Sequence, residues 1–174
     1  TEAMRGELAA LGFRNLHVLS RGVDTNLFAP ERRTEALRRA WGAGPDTPVV
    51  LHVGRIAAEK NLGLLVDAAL RIGRERPDAK VVLVGDGPET RALQAQLPGA
   101  HFAGLQRGES LAMHYASADL FLFPSCTETF GNVTLEAMAS GLPLVAYDYA
   151  AAAAHVRHGT QGLLAPFGQA EAFV

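Results

Sequence analysis

Short, continuous apolar runs alternate along this chain with segments of helical period, and that alternation leaves few folds open. Val49-Val50-Leu51 and Lys80-Val81-Val82-Leu83-Val84 lack the polar–apolar alternation of a strand with one wet face. They read as parallel strands covered on both sides. Further strands are predicted at His17–Ser20, His101–Ala103, Leu120–Phe123 and Leu142–Ala146, with a weaker one at Leu163–Ala165. Helical spacing predicts helices over Glu2–Leu11, Thr34–Trp41, Leu62–Arg74, Glu89–Leu97, Ser110–Ala116, Val133–Ser140 and Ala151–Arg157. Strands and helices in turn make an α/β, Rossmann-like, doubly wound parallel sheet the expected fold.

At 174 residues the chain suits one domain spanning 1–174, large enough for a real core. The formal charge of −2 argues against a nucleic-acid surface. Cys126 is the sole cysteine, so no internal disulfide is available, and a reducing, cytoplasmic setting is expected. No run approaches the ~18 apolar residues of a membrane span. Gln169–Val174 reads as the opening of a helix, and both chain ends are expected to be cuts within a longer protein.

Ligands of such sheets sit beyond the carboxyl ends of the strands, so the loops there matter most. The first, Gly54-Arg55-Ile56-Ala57-Ala58-Glu59-Lys60-Asn61, leads from a strand into a helix. Lysine is rare here, occurring only at Lys60 and Lys80. Arg55 and Lys60 beside a helix start suit a diphosphate, Arg as a fork of donors and Lys as a point charge. The same residues also fit plain solvated charges. The second loop, Gly85-Asp86-Gly87-Pro88-Glu89, places Pro88 in the first helical turn. Thr90 stands where a dinucleotide fingerprint has its third glycine, so this is a turn beside a ligand or a structural necessity alone. The third runs from Pro124 through Glu128 to Gly131-Asn132, where Asn132 is expected to cap a helix that ends at Gly141. Glu128 in the loop and Glu136 one turn inside the helix can accept hydrogen bonds from sugar hydroxyls. They can equally well just favour the positive end of the helix dipole.

Taken together, Gly54-Arg55…Lys60-Asn61, Gly85-Asp86-Gly87-Pro88-Glu89, Ala118-Asp119-Leu120…Pro124-Ser125 and Glu128-x7-Glu136 resemble, in order and spacing, the nucleotide-sugar-binding domain of family-four retaining glycosyltransferases. Arg21-Gly22-Val23-Asp24 resembles that family's entry into this domain, and the likeness covers nearly all of residues 16–166. The resemblance implies one C-terminal half of a GT-B fold. The acceptor-binding N-terminal domain and a final C-terminal helix would then be absent, and any membrane association would come only through the missing half, at the inner face of the membrane.

The resemblance also implies roles. Arg55 and Lys60 match the pair that binds the diphosphate and stabilises the leaving group. Glu128 matches the carboxylate that holds the donor sugar, and Glu136 the one that binds the ribose. Backbone groups of Thr129, Phe130, Gly131, Asn132 and Val133 match the segment around the sugar and distal phosphate. Gly54 belongs to the diphosphate loop, and Gly104 and Leu105, followed by Gln106, match the loop that reads the base. The donor is a nucleoside-diphosphate sugar, and no metal or other cofactor is expected. His155 and His158 stand one turn apart without a third ligand in sight. Departures from the pattern are Arg21 in place of Asn and the alanine run Ala150–Ala154 in place of a Gly-Gly-x-Pro-Glu loop. Ala146-Tyr147-Asp148-Tyr149-Ala150-Ala151-Ala152 resembles GDP-mannose-dependent mannosyltransferases that act on lipid acceptors. Alternatives within the same fold are a nucleotide-sugar epimerase and a non-catalytic nucleotide-sugar-binding module. Phe121, Phe123 and Trp41 read as packing residues, Cys126 as unactivated, and Asp119 as a turn or cap.

Overall fold

The computed structural model describes residues 2–19, 22–127 and 131–174. Its centre is one parallel sheet of six strands: β1 (Val49–Val53), β2 (Lys80–Val84), β3 (His101–Gly104), β4 (Leu120–Phe123), β5 (Leu144–Tyr147) and β6 (Gly162–Ala165). The spatial order is β3-β2-β1-β4-β5-β6, the doubly wound arrangement expected from the alternation. The chain builds outward from β1 to β3, then returns to the middle and builds the other way from β4. All five residues of β1 are buried, as the unbroken apolar run requires.

Helices cover both faces. After α1 (Glu2–Ala10) and α2 (Glu35–Ala40), the crossovers are α3 (Leu62–Glu75), α4 (Thr90–Gln96), α5 (Gly108–Ser117), α6 (Asn132–Ala139) and α7 (Ala150–His155), followed by α8 (Ala170–Phe173). Strand residues alternate between two cores. On one face Val49, Leu51, Val82, Phe121, Phe123 and Leu144 meet Tyr115 of α5, Ala137 of α6 and Ala152 of α7, together with Phe28 and Trp41. On the other, Val50, Leu83 and Leu122 meet Leu64 and Leu65 of α3, Leu93 of α4 and Phe173 of α8.

The extended run at His17–Ser20 is a correction. His17, Val18 and Leu19 join no strand ladder, and Ser20 and Arg21 lie outside the described residues. Leu19 is 89% exposed, so no sheet edge takes the run up. Phe121, Phe123 and Trp41 are buried, as their packing roles require. Among the described residues, no helix is long and apolar enough to cross a membrane.

Candidate donor-binding site

Between β1 and β4 the order of strands reverses, and ligands of such sheets sit beyond the carboxyl ends of the strands at this switch point. The β1–β4 ladder pairs only Val50 with Leu120 and Leu51 with Phe121, whereas the β1–β2 ladder continues to Val53 and Val84. His52 fills the gap. Its Nδ1 lies 3.0 Å from Leu122 O, so Nδ1–H is the donor there and Nε2 keeps its lone pair. The ring packs parallel to Phe123 and is almost wholly buried. Burial lowers its pKa from 6.5 to about 4; the bond to Leu122 O opposes that shift, and the nearby Lys60 charge adds to it.

The loop after β1 is laced to its neighbours on both sides. Toward β2, Gly54 N–H donates to Val84 O, Ile56 N–H to Asp86 O, and Glu89 N–H to Ile56 O. Gly85 N–H in turn donates to Gly104 O at the end of β3. Toward β4, the Lys60 ammonium donates to Thr127 O at 3.0 Å, Thr127 Oγ1 to Glu59 O at 2.9 Å, and Asn61 Nδ2 to Pro124 O at 3.2 Å. Asn61 adopts left-handed φ (54°) to start α3. Arg55 is 65% exposed and pairs with Glu59 at 3.4 Å, so its fork stands at the rim. An exposed pair of this kind contributes only about 0.2–1 kcal/mol.

On the β4 side, Glu128, Thr129 and Phe130 lie outside the described residues. Gly131, not Asn132, is the N-cap of α6, with φ 73° and ψ 32°. Asn132 is already helical, because a left-handed turn at Gly131 brings the chain into the helix one residue early. Gly131 O accepts from Thr134 and Leu135 N–H, the first bonds of the helix. The opening N–H groups of a helix generally lack an intrahelical acceptor, which is the ordinary geometry for receiving an anion. The far end closes as predicted: Gly141 N–H bonds Met138 O and Leu142 N–H bonds Ala137 O, a Schellman motif.

Glu136 is half-buried on α6, where the Cα–Cβ bonds tilt toward the N-terminus of the helix. Its Oε2 accepts the Tyr115 hydroxyl at 3.0 Å. Burial raises its pKa, and the Tyr115 bond opposes the rise. Gly104 has φ 66° and Leu105 is exposed beyond it. They lie at the sheet edge, two strands from β1, or about 10 Å at the usual strand spacing. Gln106 is engaged internally, donating to Ala103 O and accepting from Ser110 Oγ.

The described groups thus fall into two sets at the carboxyl edge. Gly54, Arg55 and Lys60 stand on the β1 loop, and Lys60 reaches across to Thr127 in the loop after β4. Gly131, Asn132, Val133 and Glu136 follow on α6. Pro88 sits in the turn before α4 rather than in its first turn, since Glu89 is the N-cap. Gly85 and Gly87 serve the packing of the β1 and β2 loops. Asp119 does more than cap a turn, as it anchors two arginines and a strand (see Discussion). Sequence reasoning passed over His52 and Tyr115. The signal for His52 was a polar residue inside an otherwise apolar buried strand; Tyr115 gave none. Among the described residues, no group of three or more His, Cys, Asp and Glu could hold a metal, and His155 and His158 are exposed.

The family model described as "Glycosyl transferases group 1" matches residues 47–174. The chain belongs to this family. It is 41% identical over 169 residues to a GDP-mannose-dependent alpha-mannosyltransferase of Mycobacterium tuberculosis, covering 94% of this chain and 42% of the relative. It is also 41% identical over 140 residues to the sulfoquinovosyl transferase SQD2 of Arabidopsis thaliana, covering 79% of this chain and 27% of the relative. Among solved structures, Anabaena Alr3699/HepE in complex with UDP and glucose superposes with a TM-score of 0.80 at 28% identity, covering 98% of this chain and 49% of that one. The C-terminal domain of a Francisella tularensis group 1 glycosyl transferase, LpcC, has the same fold (TM-score 0.69, 22% identity, 86% of this chain and 83% of that one). The chain therefore spans less than half the length of the curated relatives it matches.

Proposed function

We propose that this chain is the donor-binding domain of a retaining glycosyltransferase. It binds a nucleoside-diphosphate hexose for transfer to an acceptor hydroxyl, and GDP-mannose is the favoured donor. The observation that supports the reading is the bond from Lys60 on the β1 loop across to Thr127 on the β4 loop, at the switch point and just ahead of the Gly131-capped N-terminus of α6. Support for a mannosyl donor comes from the relatives named as GDP-mannose-dependent mannosyltransferases. Support for donor binding in this fold comes from the Anabaena complexes with UDP and UDP-glucose.

In this reading Arg55 and Lys60 take the diphosphate and stabilise the charge that develops on it as the sugar leaves. The first turn of α6 adds its dipole and N–H groups at Gly131, Asn132 and Val133. Glu128 holds hydroxyls of the sugar, with the backbone of Thr129 and Phe130 beside it, and Glu136 accepts from the ribose. Gly104 and Leu105 border the base. The acceptor and its hydroxyl belong to a separate N-terminal domain, so the domain alone binds donor and transfers nothing.

Calorimetric titration of the 174-residue chain tests this. GDP or UDP should bind, and Lys60→Ala should weaken the diphosphate about 10- to 100-fold, the equivalent of one charged hydrogen bond, while leaving the free nucleoside unaffected. Equal, weak binding of every nucleotide by wild type, Arg55→Ala and Lys60→Ala would overturn the assignment.

A further inference from the structure

Tyr115 sits in the last turn of α5, is fully buried, and has its hydroxyl 3.0 Å from Glu136 Oε2. A tyrosine in a core is ordinary. What this one does with its hydroxyl is less so. Phe28 meets the ring edge-on, with centroids 5.8 Å apart, and Phe121 packs against it at 5.7 Å. With an aromatic neighbour on each of two sides, the ring has little freedom to turn, so the direction of the O–H is fixed by the core and not by solvent. Glu136 differs from a surface carboxylate. It is half-buried, and burial works against its ionised form. A long glutamate side chain in that setting has several rotamers, and its neutral form would lose the acceptor capacity of one oxygen.

We propose that Tyr115 is the positioning residue for the ribose-binding carboxylate. It takes up Oε2 of Glu136 and leaves Oε1 as a pre-aimed acceptor for the two ribose hydroxyls. The inference rests on the assignment of Glu136 to the ribose made above. It assigns Tyr115 a role that neither composition nor motif spacing suggested. The link is also physical: α5 and α6 belong to the same face of the sheet, so the aromatic core is what sets the direction of the carboxylate. A pre-aimed carboxylate gains affinity because the rotamers it would lose on binding are already lost on folding.

The test is a ligand-by-variant comparison on this chain. GDP, UDP and their 2′,3′-dideoxy counterparts are titrated into wild type, Tyr115→Phe and Glu136→Gln, with folding checked by near-ultraviolet circular dichroism. Tyr115→Phe keeps the ring and its packing and removes only the hydroxyl. The expected result is a 5- to 20-fold loss of affinity for the ribonucleotide in Tyr115→Phe, a loss at least as large in Glu136→Gln, and no loss in either variant for the dideoxy ligand. If Tyr115→Phe weakens ribo and dideoxy ligands alike, its effect is on the fold and the proposal fails. If Glu136→Gln discriminates ribo from dideoxy and Tyr115→Phe binds as wild type does, Glu136 acts without Tyr115 and the proposal fails while the ribose assignment stands. If Glu136→Gln leaves ribonucleotide binding intact, the ribose assignment falls and takes the proposal with it.

Discussion

A Cβ added at Gly85 would stand 1.9 Å from Gly54 O, and one at Gly87 would stand 2.1 Å from Ile56 O. Both contacts are to backbone, which cannot rotate away. Gly85 also has φ 132°, a conformation that side-chain-bearing residues rarely adopt. The glycines of this turn are therefore needed so that the loops after β1 and β2 can lie against each other, which in turn fixes where Arg55 leaves the sheet. Gly85→Ala is expected to cost more than about 3 kcal/mol, through forced displacement of the Gly54 carbonyl and backbone strain together. Urea denaturation of the variant checks this. A cost below about 1 kcal/mol would mean that the two loops are free to separate. Gly63, on an exposed turn of α3 with nothing within 4 Å of an added Cβ, is the control, and Gly63→Ala should be neutral or mildly stabilising.

At the scale of the elements, the opposite edge of the sheet is held by charge. Arg38 of α2 is fully buried. Its guanidinium donates to Ser117 O, Gly44 O and Thr47 O, and to Asp119 Oδ2 at 2.9 Å. Asp119 also accepts from Arg33 and from Val49 N–H, and so ties α2, the end of α5 and the start of β1 at one point. Removing the carboxylate leaves a buried cation with carbonyls and a longer, 3.9 Å contact to the half-exposed Glu35. Asp119→Ala is expected to lose about 3–5 kcal/mol, far more than an exposed pair such as Arg71–Glu75 would give up. Chemical denaturation of Asp119→Ala beside Glu75→Ala measures the difference. The sequence carried no trace of this anchor, since Arg38 and Asp119 are 81 positions apart and neither departs from its local pattern. The elements themselves were legible, because β1, β2 and β4 keep the limits read from their largely apolar letters and are buried over most of their length. His17–Ser20 misled for a physical reason: an apolar run becomes a strand only when a neighbour takes its backbone bonds, and the letters do not say whether one exists.

At the scale of the whole molecule, the proposed donor site lies at the switch point between β1 and β4, and His52 sits between those strands. The cationic loop and the span of α6 were readable from glycine, charge and helix-end letters, although the cap falls on Gly131 and not on the expected Asn132. The carboxylate–tyrosine contact and the imidazole wedge were not, because each joins elements far apart in the chain through a buried side chain. The wedge also has a consequence for stability. In the unfolded chain His52 titrates near 6.5, while in the folded chain burial holds it to about 4. Above pH 6.5 both states are neutral and the Leu122 bond contributes fully. As pH falls from 6.5 toward 4, only the unfolded chain takes up the proton, so folding stability declines across that window, by an amount on the order of 3 kcal/mol for this shift. His114, also lowered by burial, adds to the decline. Glu136 acts in the opposite sense: its raised pKa means that the folded state holds its proton more tightly, so its contribution declines as pH rises above the ordinary carboxylate range. Comparing wild type with His52→Asn, which keeps a donor for Leu122 O and does not titrate, separates these terms. Unfolding free energy measured by urea from pH 7 to pH 4 should fall clearly less steeply in His52→Asn than in wild type, whatever the absolute cost of the smaller side chain. Parallel slopes would mean that the imidazole reaches water in the folded protein, against its near-complete burial between β1 and β4.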